Sequence, residues 1–321
     1  MIVTGAAGLL GNTVLRAAAA RGLAATAWLR GPAGGATLAG LDLPVVHGDL
    51  AADPLEKIVE KARIVVHCAA RVAIGSTGDE ASRRDNVVAT QRLASACRAV
   101  GARLIHVSTV DTLVWGTRDY PGGETPAAPH PRDTTYAATK RLAEAAVLAE
   151  MERGLAATIV HPGFLLGPWD WKPSSGRLLL AAVRGPLAIA PPGGNDFCHA
   201  GAVAEAILSL AAAPPPSARY VLSGEALTYA GAFRLMRQAA GRAPRVVEAP
   251  AALVRAAGRA CDLWGRITGR EPELNGAAAE VACMPHHFSS ALAIREIGYR
   301  PRPAAEAMRE AWTWFVERGY A

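Results

Sequence analysis

Tyr136 and Lys140 stand four residues apart in Tyr-Ala-Ala-Thr-Lys. On a helix that spacing puts both side chains on one face, one turn apart. An ammonium beside a phenol favours the phenolate and lowers the tyrosine pKa from about 10. A tyrosine so placed can move a proton at a hydroxyl or carbonyl oxygen. The same spacing is common on solvated helices, so the pair takes its meaning from the elements that precede it. Upstream, residues 103–109 read as a strand whose end carries two hydroxyls, Ser108 and Thr109.

The chain opens on a short apolar strand, Met1 to Thr4. A glycine-rich turn follows, Gly5-Ala6-Ala7-Gly8-Leu9-Leu10-Gly11, and then a helix expected over 12–21. Strand, glycine turn and helix in that order can seat a dinucleotide pyrophosphate on a helix N-terminus. Gly5 makes the tight turn, Gly8 lets the backbone approach the phosphates, and Gly11 lets helix pack on strand. Residues 23–29 read as the second strand, whose end meets the adenosine ribose. An acid there would bind a 2′-hydroxyl, whereas an arginine can accept a 2′-phosphate. This chain has Arg30 and no acid, which points to NADP(H), with NAD still open. Residues 45–50 run into Asp49. Residues 64–70 end in Ala69 and Ala70, small enough for a cofactor to lie against the backbone. Helices are expected over 85–100 and from Tyr136 to 152, with a sixth strand over 156–160. A Pro- and Gly-rich loop over 120–131 precedes the Tyr136 helix. Alternating strands and helices predict an α/β doubly wound parallel sheet. Ligands bind such sheets at the carboxyl ends of the strands, where Gly5, Asp49, Ala69 and Thr109 all fall.

Beyond residue 166 the alternation fails and Pro, Gly and Trp crowd the loops. We expect a dinucleotide-binding domain over 1–165, with 197–215 returning to it. A smaller, mostly helical substrate domain is expected over 166–321. Trp115, Phe164, Trp169, Trp171 and Phe197 are the aromatic candidates for a pocket, with core packing as the plainer role for each. Leu253, Val254, Ala257, Cys261 and Trp264 recur at helical spacing. They read as a core-facing stripe, or as a lid over a greasy substrate or a contact with membrane lipid.

Composition narrows the remaining classes. With 51% apolar and 19% charged residues the chain can bury a large core and is not disordered. The net charge of +6 comes from arginines dispersed along helices, so no nucleic-acid groove is expected. Five scattered cysteines include no Cys-x-x-Cys pair, so neither a metal site nor a disulfide framework is indicated. No apolar run suits a transmembrane segment and no leader pattern opens the sequence, so a cytoplasmic protein is expected.

Together these motifs resemble the extended short-chain dehydrogenases/reductases, the NAD-dependent epimerase/dehydratase superfamily. Thr4 to Gly11 matches T-G-x-x-G-x-x-G. His67-Cys68-Ala69-Ala70, Asn86, Ser108-Thr109, Tyr136-x-x-x-Lys140 and Pro162 follow in that family's order, and Ile297 to Pro301 fits its C-terminal part. Gly167-Pro168-Trp169-Asp170-Trp171-Lys172-Pro173 is similar to a segment of the branch holding dihydroflavonol 4-reductases, 3β-hydroxysteroid dehydrogenases and hopanoid-associated sugar epimerases. The resemblance implies a Rossmann domain whose cofactor contacts are Gly5, Gly8, Leu9, Leu10, Arg30, Asp49, Leu50, Ala69, Ala70, Tyr136, Lys140 and Pro162. It implies Thr109, Tyr136 and Lys140 as the catalytic set. Thr109 stands where the family usually has serine, and Ser108 is the substitute hydroxyl. Lys140 would also bond the nicotinamide ribose. A homodimer through the Tyr136 helix is a further implication. His161-Pro162-Gly163-Phe164 lacks the asparagine that nucleotide-sugar epimerases carry there. The implied substrate is therefore a small apolar molecule of sterol, flavonoid or lipid type, with a sugar-derivative epimerase or dehydratase as the alternative. Ala200-Gly201-Ala202-Val203 replaces the family's Val-Asp-Asp-Val, with no sequence clue to what substitutes for the acids.

Overall fold

The computed structural model describes residues 1–72, 80–129, 133–268 and 275–321. The last residues of the 120–131 loop therefore fall outside the described residues. Short runs of Val, Ile and Leu, flanked by helices, form strands that are buried on both faces except at the exposed edge strand β3. They are β1 (Ile2–Thr4), β2 (Thr26–Leu29), β3 (Val45–His47), β4 (Ile64–His67), β5 (Arg103–Val107) and β6 (Ala157–Pro162). After β7 (Phe164–Leu166), β8 (Ala188–Ala190) and β9 (Gly194–His199), the chain returns to this sheet as β10 (Arg219–Leu222). All pairings in the sheet are parallel and the order is β10-β6-β5-β4-β1-β2-β3. The direction of winding reverses between β1 and β4, and the crevice beyond their ends is the expected ligand position.

Two helical layers cover the sheet. Leu9–Ala20 and Ala200–Ala212 lie on one face, packing Val14, Leu15 and Ala18 with Val203 and Ile207. Alanine-rich surfaces let these two helices approach closely. On the other face Leu55, Val59, Leu93, Cys97 and Val147 share a core with Val65 and Leu104. Residues 48–50, 68–70 and 108–109 leave the ladder rather than extending their strands. They form the loops that line the crevice.

The rest of the chain builds two small sheets, one of β7, β9 and β11 (Glu225–Thr228), the other of β8 and β12 (Val246–Glu248). Helices Gly176–Val183, Tyr229–Ala239 and Ala304–Glu317 close a second core around Phe197, Trp314 and Phe315. Trp169 and Trp171 meet Trp314 edge-on, and Phe164 packs on Phe197, so four of the five aromatic pocket candidates serve packing. The core-facing reading of Ala251–Thr268 needs correction. Leu253 and Trp264 are each 64% exposed. Apolar spacing identified a helix face but not what would cover it. His199 takes over at the position lacking the family's acids: its Nδ1 accepts from Gly201 N at 3.0 Å and caps the Ala200–Ala212 helix. Among the described residues no helix is long and apolar enough to cross a membrane.

Candidate active site

The glycine turn forms a tight cradle. Gly5 sits at φ +67°, in the left-handed region, and a Cβ on it would come within 2.6 Å of Ala69 N. A Cβ on Gly11 would meet Gly5 O at 2.4 Å, so helix and turn touch backbone to backbone. Gly8 is the N-cap of Leu9–Ala20; no side chain caps that end and no acid lies in its first turn. The end thus keeps its donors and partial positive charge for an anion. A cleft of about 330 Å³ opens above it. Gly5, Gly8, Arg30, Asp49, Leu50, Ala69 and Ala70 line it, as the sequence suggested, together with Cys68, Asp85 and Lys172. Leu9 and Leu10 are buried in the first helical turn and Pro162 ends β6; none of the three lines this cleft.

Charge is concentrated in and beside the cleft. Arg30 Nη2 lies 2.9 Å from Asp85 Oδ2, and Arg71 and Arg84 approach the same carboxylate at 3.2 Å each. Arg84 also holds Asp49 at 2.6 Å and keeps its carboxyl below the usual range. Lys172, from the loop after β7, also lines the cleft. That loop is fixed by Asp170, which accepts from the backbone of Ser174 and Gly176 at 3.0 Å each. Trp169, the only described non-glycine residue at positive φ, lies under the Arg16 guanidinium at 3.5 Å.

The Tyr136 helix spans Thr135–Glu152 and begins where Thr134 Oγ1 accepts from Ala137 N. Lys140 is buried, and its Nζ donates to Val107 O at 2.6 Å and lies 3.4 Å from His106 Nε2. Burial brings its pKa down to about 8, against the pull of Glu144. The expected effect on Tyr136 is reversed: burial, with the charge of Asp111, pushes the phenol above its ordinary range. Desolvation penalises the phenolate, and the Lys140 ammonium is engaged by Val107 O instead.

A chain of hydrogen bonds joins the two sites. Thr4 Oγ1 contacts His67 Nδ1 at 2.8 Å, His67 Nε2 contacts Thr90 Oγ1 at 2.9 Å, and Thr90 Oγ1 donates to Asn86 O at 2.6 Å. Asn86 Nδ2 then donates to Thr139 Oγ1, one residue before Lys140, at 2.9 Å. With Thr90 donating to Asn86, the His67 ring must be protonated on Nε2 and accept on Nδ1. Its pKa, lowered by burial to about 3, matches this neutral form.

Glu144, one turn beyond Lys140, was not singled out by sequence reasoning. Its carboxylate is buried, accepting from Ser108 Oγ and Thr112 Oγ1 at 2.5 Å each and from Arg219 Nη1 at 2.6 Å, with His161 Nε2 at 3.2 Å. Ser108 is thereby committed behind the site and is not a substitute hydroxyl. Thr109 is left at the strand end, its Oγ1 donating to Asp111 Oδ2 at 3.1 Å. Asp111 opens onto a second cavity of about 430 Å³. Thr134 and Ala137, on either side of Tyr136, line the same space, with Leu113, Val114, Trp115, Val281 and Met284. Of the five predicted aromatics, Trp115 is the one that lines either of these two cavities. It meets the His286 ring edge-on, with the ring centroids 3.9 Å apart.

The description "NAD dependent epimerase/dehydratase family" matches residues 1–222. The chain belongs to that family. It is therefore an NAD(P)-dependent enzyme of the extended short-chain dehydrogenase/reductase kind. Sterol demethylase protein B of Methylococcus capsulatus is 30% identical over 99% of this chain and 98% of its own length. A 2-alkyl-3-oxoalkanoate reductase of Stenotrophomonas maltophilia is also 30% identical, over 95% of this chain and 96% of its own. The crystal structure of gox2253 superposes with a TM-score of 0.85 at 28% identity, covering 99% of this chain and 98% of that one.

Proposed function

We propose that this enzyme exchanges a hydride at a hydroxyl or ketone carbon of an apolar substrate of sterol, flavonoid or lipid type, with NADP(H) as the preferred cofactor. The observation that carries this reading is the second cavity. Thr134 and Ala137, which flank Tyr136 in the chain, and Asp111, which accepts from Thr109, line it, and most of its wall is Leu, Val, Ala, Trp and Met. Arg141, a charged group in that wall, is already engaged by Asp133 at 2.6 Å. The relatives' names agree in kind, since a sterol and an alkylated oxoalkanoate are both largely apolar.

The cradle suits a dinucleotide: an uncapped helix N-terminus, two glycines with no room for a side chain, and a cleft lined by the cations Arg30 and Lys172. Gly5 and Gly8 would hold the pyrophosphate, Asp49 and Leu50 the adenine side, and Ala69 and Ala70 would lie along the backbone. Arg30 would trade its contact with Asp85 for a 2′-phosphate. The bound nicotinamide supplies the hydride chemistry. Tyr136 exchanges the proton with the substrate oxygen, Thr109 orients that oxygen, and Lys140 fixes the ribose and supports the tyrosine. Asn86 and Thr139 keep the Tyr136 helix in register with the glycine turn.

Tyr136→Phe tests the assignment. We expect turnover to fall by at least about a thousandfold, in line with loss of a general acid/base, while cofactor affinity by fluorescence titration stays within about twofold. Undiminished turnover in this variant would overturn the role given to Tyr136.

A further inference from the structure

Asp111 lies two residues beyond Thr109, and its carboxyl forms part of the second cavity's wall. The Thr109 hydroxyl has one proton and two lone pairs. Its proton goes to Asp111 Oδ2 at 3.1 Å, and one lone pair takes the Asp111 backbone N–H at 3.3 Å. A single lone pair is left over. In that arrangement Thr109 can accept a hydrogen bond from a substrate hydroxyl but cannot donate one to a ketone. A ketone oxygen offers only acceptors, so it needs the Thr109 proton turned toward it.

We propose that Asp111 is a positioning residue that sets the hydrogen-bond sense of Thr109. Ionised, it keeps the threonine proton and the site favours a hydroxyl. Protonated, it donates to Thr109 Oγ1 and frees that proton for a ketone oxygen. No bond to carbon is made or broken in this step; one proton binds the carboxyl and one O–H turns. The proposal rests on the oxidoreductase reading given above.

The surroundings place this change within reach. Burial raises the Asp111 pKa and nearby Asp133 adds to the effect, while His286, Arg141 and the Thr109 hydrogen bond oppose it. Tyr136 and Tyr229 feel the Asp111 charge in turn, and Glu280 shares the cavity wall. Glu280 is held by Arg255 at 2.9 Å, and Arg141 by Asp133. Asp111, by contrast, bonds the hydroxyl expected to touch substrate.

Asp111→Asn is the informative variant, because its amide can donate to Thr109 Oγ1 at every pH, as the protonated carboxyl would. Ketone reduction and alcohol oxidation are measured across mildly acidic to alkaline pH, with 13C NMR of labelled aspartate following the Asp111 carboxyl directly. In the wild type, kcat/KM for the ketone should fall by up to about tenfold per pH unit above the Asp111 titration seen by NMR. Asp111→Asn should lose that limb and keep its ketone activity at high pH. In a Thr109→Val background the Asp111 substitution should no longer alter the profile. A wild-type ketone profile that ignores the NMR titration, or an Asp111→Asn profile that keeps the same limb, overturns the proposal while leaving the oxidoreductase reading intact. Wild-type enzyme that turns over no carbonyl or alcohol at any pH overturns both.

Discussion

Replacing Glu144 by glutamine should destabilise the protein in a pH-dependent way. The His161 ring, 3.2 Å away, and hydrogen bonds from Ser108 and Thr112 outweigh the cost of burial and hold the Glu144 carboxyl down to about 2, against an ordinary value of 4.5. A depressed folded-state pKa stabilises the fold above the unfolded value, and that stability is lost as pH falls through the folded one. The shift corresponds to about 3 kcal/mol at neutral pH, falling to roughly half of that near pH 3. Glutamine keeps the shape but leaves Arg219, whose side chain is 17% exposed, facing a neutral group. Urea unfolding of wild type and Glu144→Gln at neutral and acidic pH reads this out. The expected difference is about 3 kcal/mol at pH 7, shrinking as the solution is acidified. A difference under about 0.5 kcal/mol at pH 7, or one that does not change with pH, would refute the electrostatic reasoning. Because Ser108 and Thr112 flank Thr109, the same variant should also lower turnover.

Two further outcomes follow from the cofactor cleft. Gly5→Ala places a Cβ 2.6 Å from Ala69 N at a φ of +67°, so backbone must move; thermal unfolding should shift downward and cofactor affinity should drop more than about tenfold, a cost of over ~1.4 kcal/mol. Lys172→Ala removes one exposed cation from the cleft and should weaken cofactor binding roughly fivefold, about 1 kcal/mol, without changing stability. Calorimetric titration with NADPH and NADH checks both variants, and on the wild type tighter binding of NADH would contradict the role given to Arg30.

The glycine turn, the strand–helix alternation and the Tyr136–Lys140 spacing were legible in the sequence because each is a local pattern with a fixed geometric consequence. Glu144 was not. On its helix it reads as one more solvated glutamate, and only partners distant in sequence, Ser108, Thr112, His161 and Arg219, the last 75 residues away, mark it as buried. The direction of the Tyr136 shift was missed for a related reason. Helical spacing shows that Lys140 shares a face with the tyrosine, but not that Val107 O takes its proton or that burial dominates. Asp111 was open to inspection, two residues past a hydroxyl-ended strand, yet a turn-forming aspartate looks the same in sequence. On the Ala251–Thr268 helix, periodicity located an apolar stripe and misjudged its exposure, since spacing carries no information on the covering partner.

The central claim is hydride exchange on an apolar oxygen-bearing substrate, and nicotinamide absorbance tests it most directly. Purified enzyme is offered NADPH with a panel of sterol ketones, flavonoid ketones, long-chain 3-oxo compounds and nucleotide sugars. Stoichiometric consumption of NADPH with an apolar ketone, abolished in Tyr136→Phe, is the predicted result. Conversion of a nucleotide sugar with tightly held NAD and no net cofactor turnover would contradict it.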